Sequence, residues 1–251
     1  MKKETLFETL GSMDDTYITQ AADIPPKKRR WKIWTGLAAC LALAFGVLIW
    51  GGRTPFQAAS SQLPLSDASH GVTVTYKTPT SGISSSGDLL ADLTEAELFT
   101  EFDTAIFLGT VTQVDNIELD FNGSKNYRAL AQIQVEKVYR GPCQAGETVT
   151  VLLPCPILEG VWVEDTDVIS QLAVGTRGIF MPMVYDETSV REENGATLAL
   201  KDIAGYGFPD GERYAFLETA NGLTFARWAY PTIGDADSLE EIEGYILKMI
   251  S

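Results

Sequence analysis

From Ile33 to Gly52 the chain carries no charged side chain. Twenty residues at a helical rise of about 1.5 Å span about 30 Å, the thickness of a bilayer's hydrocarbon core. Trp31 and Trp34 stand at one end of this run and Trp50 at the other, where interfacial anchors belong. Lys27, Lys28, Arg29, Arg30 and Lys32 crowd its N-terminal side, and Arg53 stands alone on the other. The positive-inside rule then places residues 1–30 in the cytoplasm and the rest outside. The expectation is a single-pass cell-membrane protein, held in the lipid bilayer through residues 33–50. A cleaved leader fits less well, because the basic cluster follows 26 other residues and the apolar run is long. Ala58-Ala59-Ser60 would be its cleavage site. Leu37-Ala38-Ala39-Cys40 spells a lipoprotein box, but most of the apolar stretch follows the cysteine rather than preceding it.

Charge divides along the same line. Residues 1–50 hold seven Lys/Arg and five Asp/Glu, and the remainder holds 12 and 29. An outer part with net charge −17 repels nucleic acid and anionic headgroups, so neither is expected as its partner.

Four regions follow. Within the cytoplasmic tail, 1–30, Leu6, Leu10, Met13, Tyr17 and Ile18 give residues 4–22 an amphipathic helical spacing that ends at Pro25-Pro26. A cytoplasmic protein partner is the role that spacing suits. The membrane helix occupies 31–52. Residues 53–91 are rich in Ser, Thr, Pro and Gly and read as a stalk, although Val72–Tyr76 alternates and suits a strand added to the domain edge. The extracytoplasmic domain is 92–251.

That domain opens on a capping box, Thr94-x-x-Glu97, before Leu98, Phe99 and Phe102. Strands are expected at 105–114, with a bend at Gly109, and at 127–139, after an Asn122-Gly123 hairpin turn and with a period slip near Lys137. Further strands are expected at 148–153, 161–163, 178–185, 198–203, 213–218 and 223–228. Ser238-x-x-Glu241 caps a last helix whose apolar side is Leu239, Ile242, Tyr245, Ile246 and Met249. Hairpin turns between short strands, with helices only at the ends, imply a mainly antiparallel β domain, a barrel or a sandwich.

The segments Phe107-Leu108-Gly109-Thr110-Val111, Val135-Glu136-Lys137-Val138-Tyr139-Arg140-Gly141, Gly146-Glu147-Thr148-Val149-Thr150-Val151 and Leu172-Ala173-Val174-Gly175-Thr176-Arg177-Gly178-Ile179-Phe180 resemble, in order and pattern, a netrin/TIMP-like OB-fold of membrane-anchored Gram-positive surface proteins. The resemblance implies an OB-like antiparallel barrel with short flanking helices beside the transmembrane helix. It spans roughly residues 104–183. No cysteine starts the domain, so the protease-inhibiting mechanism of that superfamily does not carry over. The head, from Leu6-Phe7-Glu8-Thr9-Leu10-Gly11 to Tyr17-Ile18 and then a basic cluster and one apolar span, is similar to single-pass clostridial proteins, some of them regulators of sigma factors.

Chemistry is sparse. His70 is the single histidine and falls in the stalk region, so no Ser-His or Cys-His pair is expected, and no catalytic residue. No cofactor is implied, for the chain has no glycine-rich phosphate loop, and the histidine and cysteine spacings that hold zinc are lacking. Acidic clusters occur at Asp115, Glu118 and Asp120; at Glu164, Asp165 and Asp167; and at Asp235, Asp237, Glu240 and Glu241. None has the spacing of a calcium loop. Cys143 and Cys155 flank an expected strand that holds them apart, so a disulfide needs the chain to turn back at Pro142 or Pro154. Gly205-Tyr206-Gly207-Phe208-Pro209 reads as a loop offering Tyr206 and Phe208 to an extracellular ligand. The function expected is non-enzymatic binding or sensing from a membrane anchor, with a sigma-factor-associated role in view. The alternative is a surface binding or protective OB-fold module with no signalling role.

Overall fold

The computed structural model describes residues 61–77, 90, 92–161 and 163–251. The apolar run 33–50, Trp31, Trp34, Trp50, Lys27, Lys28, Arg29, Arg30 and the amphipathic segment 4–22 lie outside the described residues. Among the described residues no helix is long and apolar enough to cross a membrane.

The described chain is mainly β, with one α-helix and several 3-10 turns. Its frame is a long hairpin, β2 (Ile106–Phe121) and β3 (Ser124–Arg140). Asn122 and Gly123 both take positive φ, 49° and 95°, as a two-residue hairpin turn requires. The ladder runs from Phe121↔Ser124 to Ile106↔Arg140, with register breaks at three places along β2. One break, between Leu108↔Lys137 and Gly109↔Val135, is the period slip legible near Lys137. At Gly109 an added Cβ would lie 2.7 Å from the Gln134 carbonyl oxygen, so only glycine fits the bend. Such breaks kink and twist a ladder, and here they curl the sheet.

Around the hairpin stand β1 (Val72–Tyr76), β4 (Thr148–Leu153), β5 (Arg177–Phe180), β6 (Met183–Val184), β9 (Tyr206–Gly207), β10 (Ala215–Thr219) and β11 (Gly222–Thr224). The order is β11-β10-β5-β2-β3-β4-β9-β6, with β1 beside the distal half of β2. All pairings are antiparallel except β4 with β9. The sheet curls as a half-barrel. Its β6 end returns toward the start of β2 through a Thr104↔Met183 bridge, in line with the Phe107↔Phe180 pair of β2 and β5. A separate two-stranded sheet, β7 (Val190–Glu193) and β8 (Ala196–Ala199), turns at Asn194-Gly195.

The helix α1 (Leu239–Met249) packs on β5 and β10, burying Leu239, Ile242, Tyr245 and Ile246. Its N-cap forms, the Glu241 amide donating to Ser238 Oγ, while the Glu241 carboxylate accepts from the amide of Asp237, one residue ahead of the cap. The Thr94–Glu97 box forms ahead of a 3-10 turn at Glu97–Phe99.

Two apolar clusters result. The larger fills the curl beneath α1 and includes Phe107, Ile133, Phe180, Phe216 and Tyr230. The smaller lies at the distal hairpin, among Val72, Val74, Ile117, Leu119, Phe121, Leu130, Ala196 and Leu198.

Several local expectations change. Residues 61–77, stalk by composition, belong to the fold, with β1 pairing along β2. Val161 and Val163 lie outside any strand. The strand expected at 198–203 stops at Ala199, where a 3-10 turn, Leu200–Asp202, takes over. The strand expected at 223–228 ends at Thr224 and gives way to another, Arg227–Ala229. Segment 205–209 is not an open loop, because β9 slots between β4 and β6.

Candidate functional site

The placement of β9 decides what Tyr206 and Phe208 can offer. Phe208 is buried and belongs to the larger cluster. Tyr206 is half-buried, its ring edge-on to Phe107 at 6.4 Å, and burial pushes its hydroxyl up to about 12. A Cβ on Gly207 would collide with Tyr185, so this glycine admits a ring rather than freeing a loop. The Gly-aromatic alternation therefore packs a strand, and Phe208 is withdrawn from ligand contact. Among the described residues the most exposed aromatic, ahead of Tyr76, is instead Trp228, at 63%. Its 3-10 turn is rigid: Arg227 donates to the carbonyls of Leu223, Gly234 and Ala236, and its guanidinium stacks over Phe225 at 4.5 Å. Sequence reading counts Trp228 with the core aromatics, because Phe225 and Tyr230 beside it are indeed buried.

Cys143 and Cys155 are buried free thiols beyond opposite ends of β4. The strand keeps them apart, and burial pushes both thiols up, away from reactive thiolate. His70 is exposed and is tied through its backbone to Thr197. Among the described residues no group of three or more His, Cys, Asp or Glu is placed to hold a metal ion.

The acidic clusters sort by what surrounds them. Glu118, on β2, is buried and saturated: Lys77 Nζ donates at 2.6 Å, Tyr127 hydroxyl at 2.6 Å and Lys125 Nζ at 2.9 Å. These donors, Lys77 first, hold its carboxyl down to about 2. Asp120 caps the hairpin turn by accepting from the Gly123 amide. Asp235–Glu241 lies at the start of α1, where acids suit the helix dipole. Asp210, Glu212 and Arg213 form a buried polar knot against residues 165–167. Asp210 accepts from the amides of Glu212 and Arg213 and from Arg213 Nε at 2.9 Å, and Glu212 accepts from the Asp167 amide. Burial, with Asp167, Asp210 and Asp165 nearby, raises the Glu212 carboxyl. Gly211 permits this approach, since a Cβ there would lie 2.6 Å from the Asp165 carbonyl. Close by in sequence, the Tyr214 hydroxyl is buried with no hydrogen-bond partner among the described residues.

The most elaborate polar construction is at the distal hairpin, and the sequence gives little sign of it. Two Asn-Gly turns face one another there. Asn194 Nδ2 donates to the carbonyls of Phe121 and Asn122, and Asn122 Nδ2 donates back to the Asn194 carbonyl at 3.2 Å. Residues 61–77 close the assembly. Asp202 Oδ2 accepts from Ser66 N, Ser66 Oγ and Ser69 Oγ at 3.0, 3.0 and 2.6 Å. His70 and Thr197 exchange both backbone bonds at 2.8 Å, and the Gly71 carbonyl accepts from the Asn122 amide. Residues 61–77 are held there by backbone pairing with β2, by burial of Val72 and Val74, and by the Glu118 and Asp202 carboxylates.

No protein-family model, curated protein or solved structure matches this chain.

Proposed function

We propose that this is a non-enzymatic, single-pass membrane protein that binds or senses on the outer side of a cell membrane and relays through residues 31–52 to a cytoplasmic partner of residues 4–22, of the sigma-factor-associated kind. One observation carries the reading. Residues 61–77, which follow the apolar run by only a few positions, are built into the domain by a five-residue ladder, an ion pair and the Asp202 grip. A module that merely rides on a slack stalk needs none of these. A sensing domain does, because a change in the fold reaches the anchor only through a chain that is fixed to the fold.

We read the curled sheet as an OB-like barrel. The meander β2-β3-β4, the parallel β4–β9 pair, the antiparallel β9–β6 pair and the Thr104–Met183 bridge support this reading, because a small Greek-key barrel uses five strands in such an order. The extracellular ligand then meets the outer surface, where Trp228 is the rigidly held aromatic.

The test is co-purification from membranes. Full-length chain should bring down a specific cytoplasmic protein, and deletion of residues 4–22 should lose it while the outer domain stays folded. A phenotype unchanged by that deletion would instead support the protective-module alternative.

A further inference from the structure

Three of the chain's five asparagines precede glycine: Asn122, Asn194 and Asn221. In an Asn-Gly pair the asparagine side chain is open to attack by its own backbone, because glycine has no Cβ to hinder the approach of its amide nitrogen. All three pairs stand in hairpin turns, and all three asparagines are exposed. Beyond their chain neighbours, Gly123, Gly195 and Gly222 have no atom within 4 Å of where a Cβ would stand, so crowding does not tell the turns apart.

The use of each side-chain amide does. Asn194 Nδ2 donates to the Phe121 and Asn122 carbonyls at 3.0 Å each, which engages both of its hydrogens. Asn122 Nδ2 donates to the Asn194 carbonyl at 3.2 Å, and the amide that would attack it, that of Gly123, is already given to Asp120 Oδ1 at 2.6 Å. The β10–β11 turn is bonded through Thr219 instead. Its Oγ1 accepts from the Asn221 backbone amide at 3.2 Å and donates to the Gly222 carbonyl at 3.0 Å. The Asn221 side chain takes no part in these bonds and has no hydrogen-bond partner among the described residues. The strand that follows, β11, is a three-residue edge of the sheet, so this turn opens at little cost, whereas the two distal turns must first part from each other.

We propose that the fold selects Asn221 as a covalent modification site, at which the protein converts itself to aspartate and isoaspartate. The Gly222 amide nitrogen bonds to Asn221 Cγ, the Cγ–Nδ2 bond breaks, and Nδ2 leaves as ammonia with the amide proton. The succinimide ring so formed takes up one water, which breaks one of its two bonds to the Gly222 nitrogen. Breaking the bond to Cγ gives aspartate; breaking the bond to the backbone carbonyl carbon gives isoaspartate. Either product adds a negative charge. Isoaspartate also lengthens the main chain by one carbon beside the Thr219↔Gly222 pair, just ahead of Leu223, whose carbonyl accepts from Arg227 at the foot of the Trp228 turn. The assignment goes beyond the sensing role and stands without it.

The experiment incubates the full-length folded chain in mildly alkaline buffer, with a matched sample in urea, and follows each asparagine by peptide mapping that separates isoaspartate from aspartate. In the folded chain Asn221 should convert at least about tenfold faster than Asn122 or Asn194, since those two must first give up their hydrogen bonds. In urea the lead of Asn221 should disappear, because the same residue follows all three. A folded Asn221→Ala chain should form no isoaspartate in the β10–β11 turn and should keep the slow rates at Asn122 and Asn194. Conversion of Asn122 or Asn194 as fast as Asn221 in the folded chain, no conversion at Asn221, or a lead of Asn221 that persists in urea would each overturn the proposal.

Discussion

The two apolar clusters are held together by different forces. Beneath α1 the cohesion is aromatic. Phe216 lies 5.3 Å from Phe225 and 5.0 Å from Tyr230, and Tyr230 meets Phe99 and Tyr245 edge-on at 6.5 and 6.2 Å. The polar atoms in that cluster are few: Tyr230 hydroxyl donates to the Arg213 carbonyl at 2.6 Å and Tyr245 hydroxyl to Glu95 at 2.6 Å, while the buried Tyr214 hydroxyl has no partner among the described residues. At the distal hairpin the apolar seats are smaller, and charge and amide bonds lock the pieces: Glu118 with its three donors, Asn122 with Asn194, Asp202 with the serines. Burial of large rings gives a cooperative core whose loss is global. A small seat framed by polar clamps gives a layer that opens by itself, because each clamp has water as an alternative partner.

The sharpest way to break this contrast is to remove a ring. Phe216→Ala deletes a fully buried phenyl from the centre of the aromatic set and should cost about 3–5 kcal/mol. The loss should appear in global unfolding by denaturant, with amide exchange accelerated in both clusters together.

Next in size is Glu118→Gln. The depressed carboxyl contributes stability that is complete above its unfolded value of 4.5 and is lost as pH falls through about 2. The two lysines are half exposed, which discounts the ion pairs. About 2 kcal/mol at pH 7 is expected, from charged hydrogen bonds lost at a buried acceptor. The gap between wild type and variant should close between pH 4.5 and 2. Hydrogen exchange should speed up in β1 and the distal halves of β2 and β3 and stay unchanged at Ile133 and Phe180. Uniform acceleration would mean that the two clusters are one cooperative unit.

A third comparison sets one turn against another. Asn194 takes φ 48° and its side chain bridges to the facing turn, whereas Asn221, also followed by glycine, is not among the residues with positive φ. Asn194→Ala should cost about 1–2 kcal/mol, from left-handed strain and two lost bonds. Asn221→Ala should stay within about 0.5 kcal/mol. Thermal melts of the two variants decide it.

The proximal part of the hairpin was legible from sequence, down to the bend at Gly109 and the register slip at Lys137, because each leaves a local mark: a glycine inside a strand, a skipped alternation; the strands themselves run on past the expected 105–114 and 127–139 to Phe121 and back to Ser124. The rest of the distal layer leaves none. Val190-Arg191-Glu192-Glu193 has no apolar alternation, and only the Asn194-Gly195 pair hints at the β7–β8 hairpin. Ser66 and Ser69 read as linker residues because their acceptor, Asp202, stands more than 130 positions away. Tyr206 and Phe208 read as a displayed pair because two residues of strand, set between β4 and β6, are too short to show a period. Position 228 failed the other way: the aromatic pattern around Trp228 is that of a core, and a 3-10 turn rotates that one ring out.

The smallest effect separates two buried glutamates of opposite surroundings. Glu118 sits among cations and donors; Glu212 sits among acids, with Asp165, Asp167 and Asp210 close by. Its folded carboxyl is raised, so the folded state holds its proton more firmly than the unfolded state does, and stability falls as pH rises above 4.5 through the folded value. Glu212→Gln removes the charge but keeps an oxygen for the Asp167 amide, and it places an amide donor among the neighbouring carboxylates. The variant should therefore be the more stable protein at pH 7 and should match wild type below pH 4.5. Melting temperatures at pH 4 and pH 7 read this directly. Glu118→Gln and Glu212→Gln make the same chemical change at two buried sites, so opposite signs at neutral pH would tie each effect to its surroundings: a carboxylate that its layer requires, and a carboxylate that its loop only tolerates.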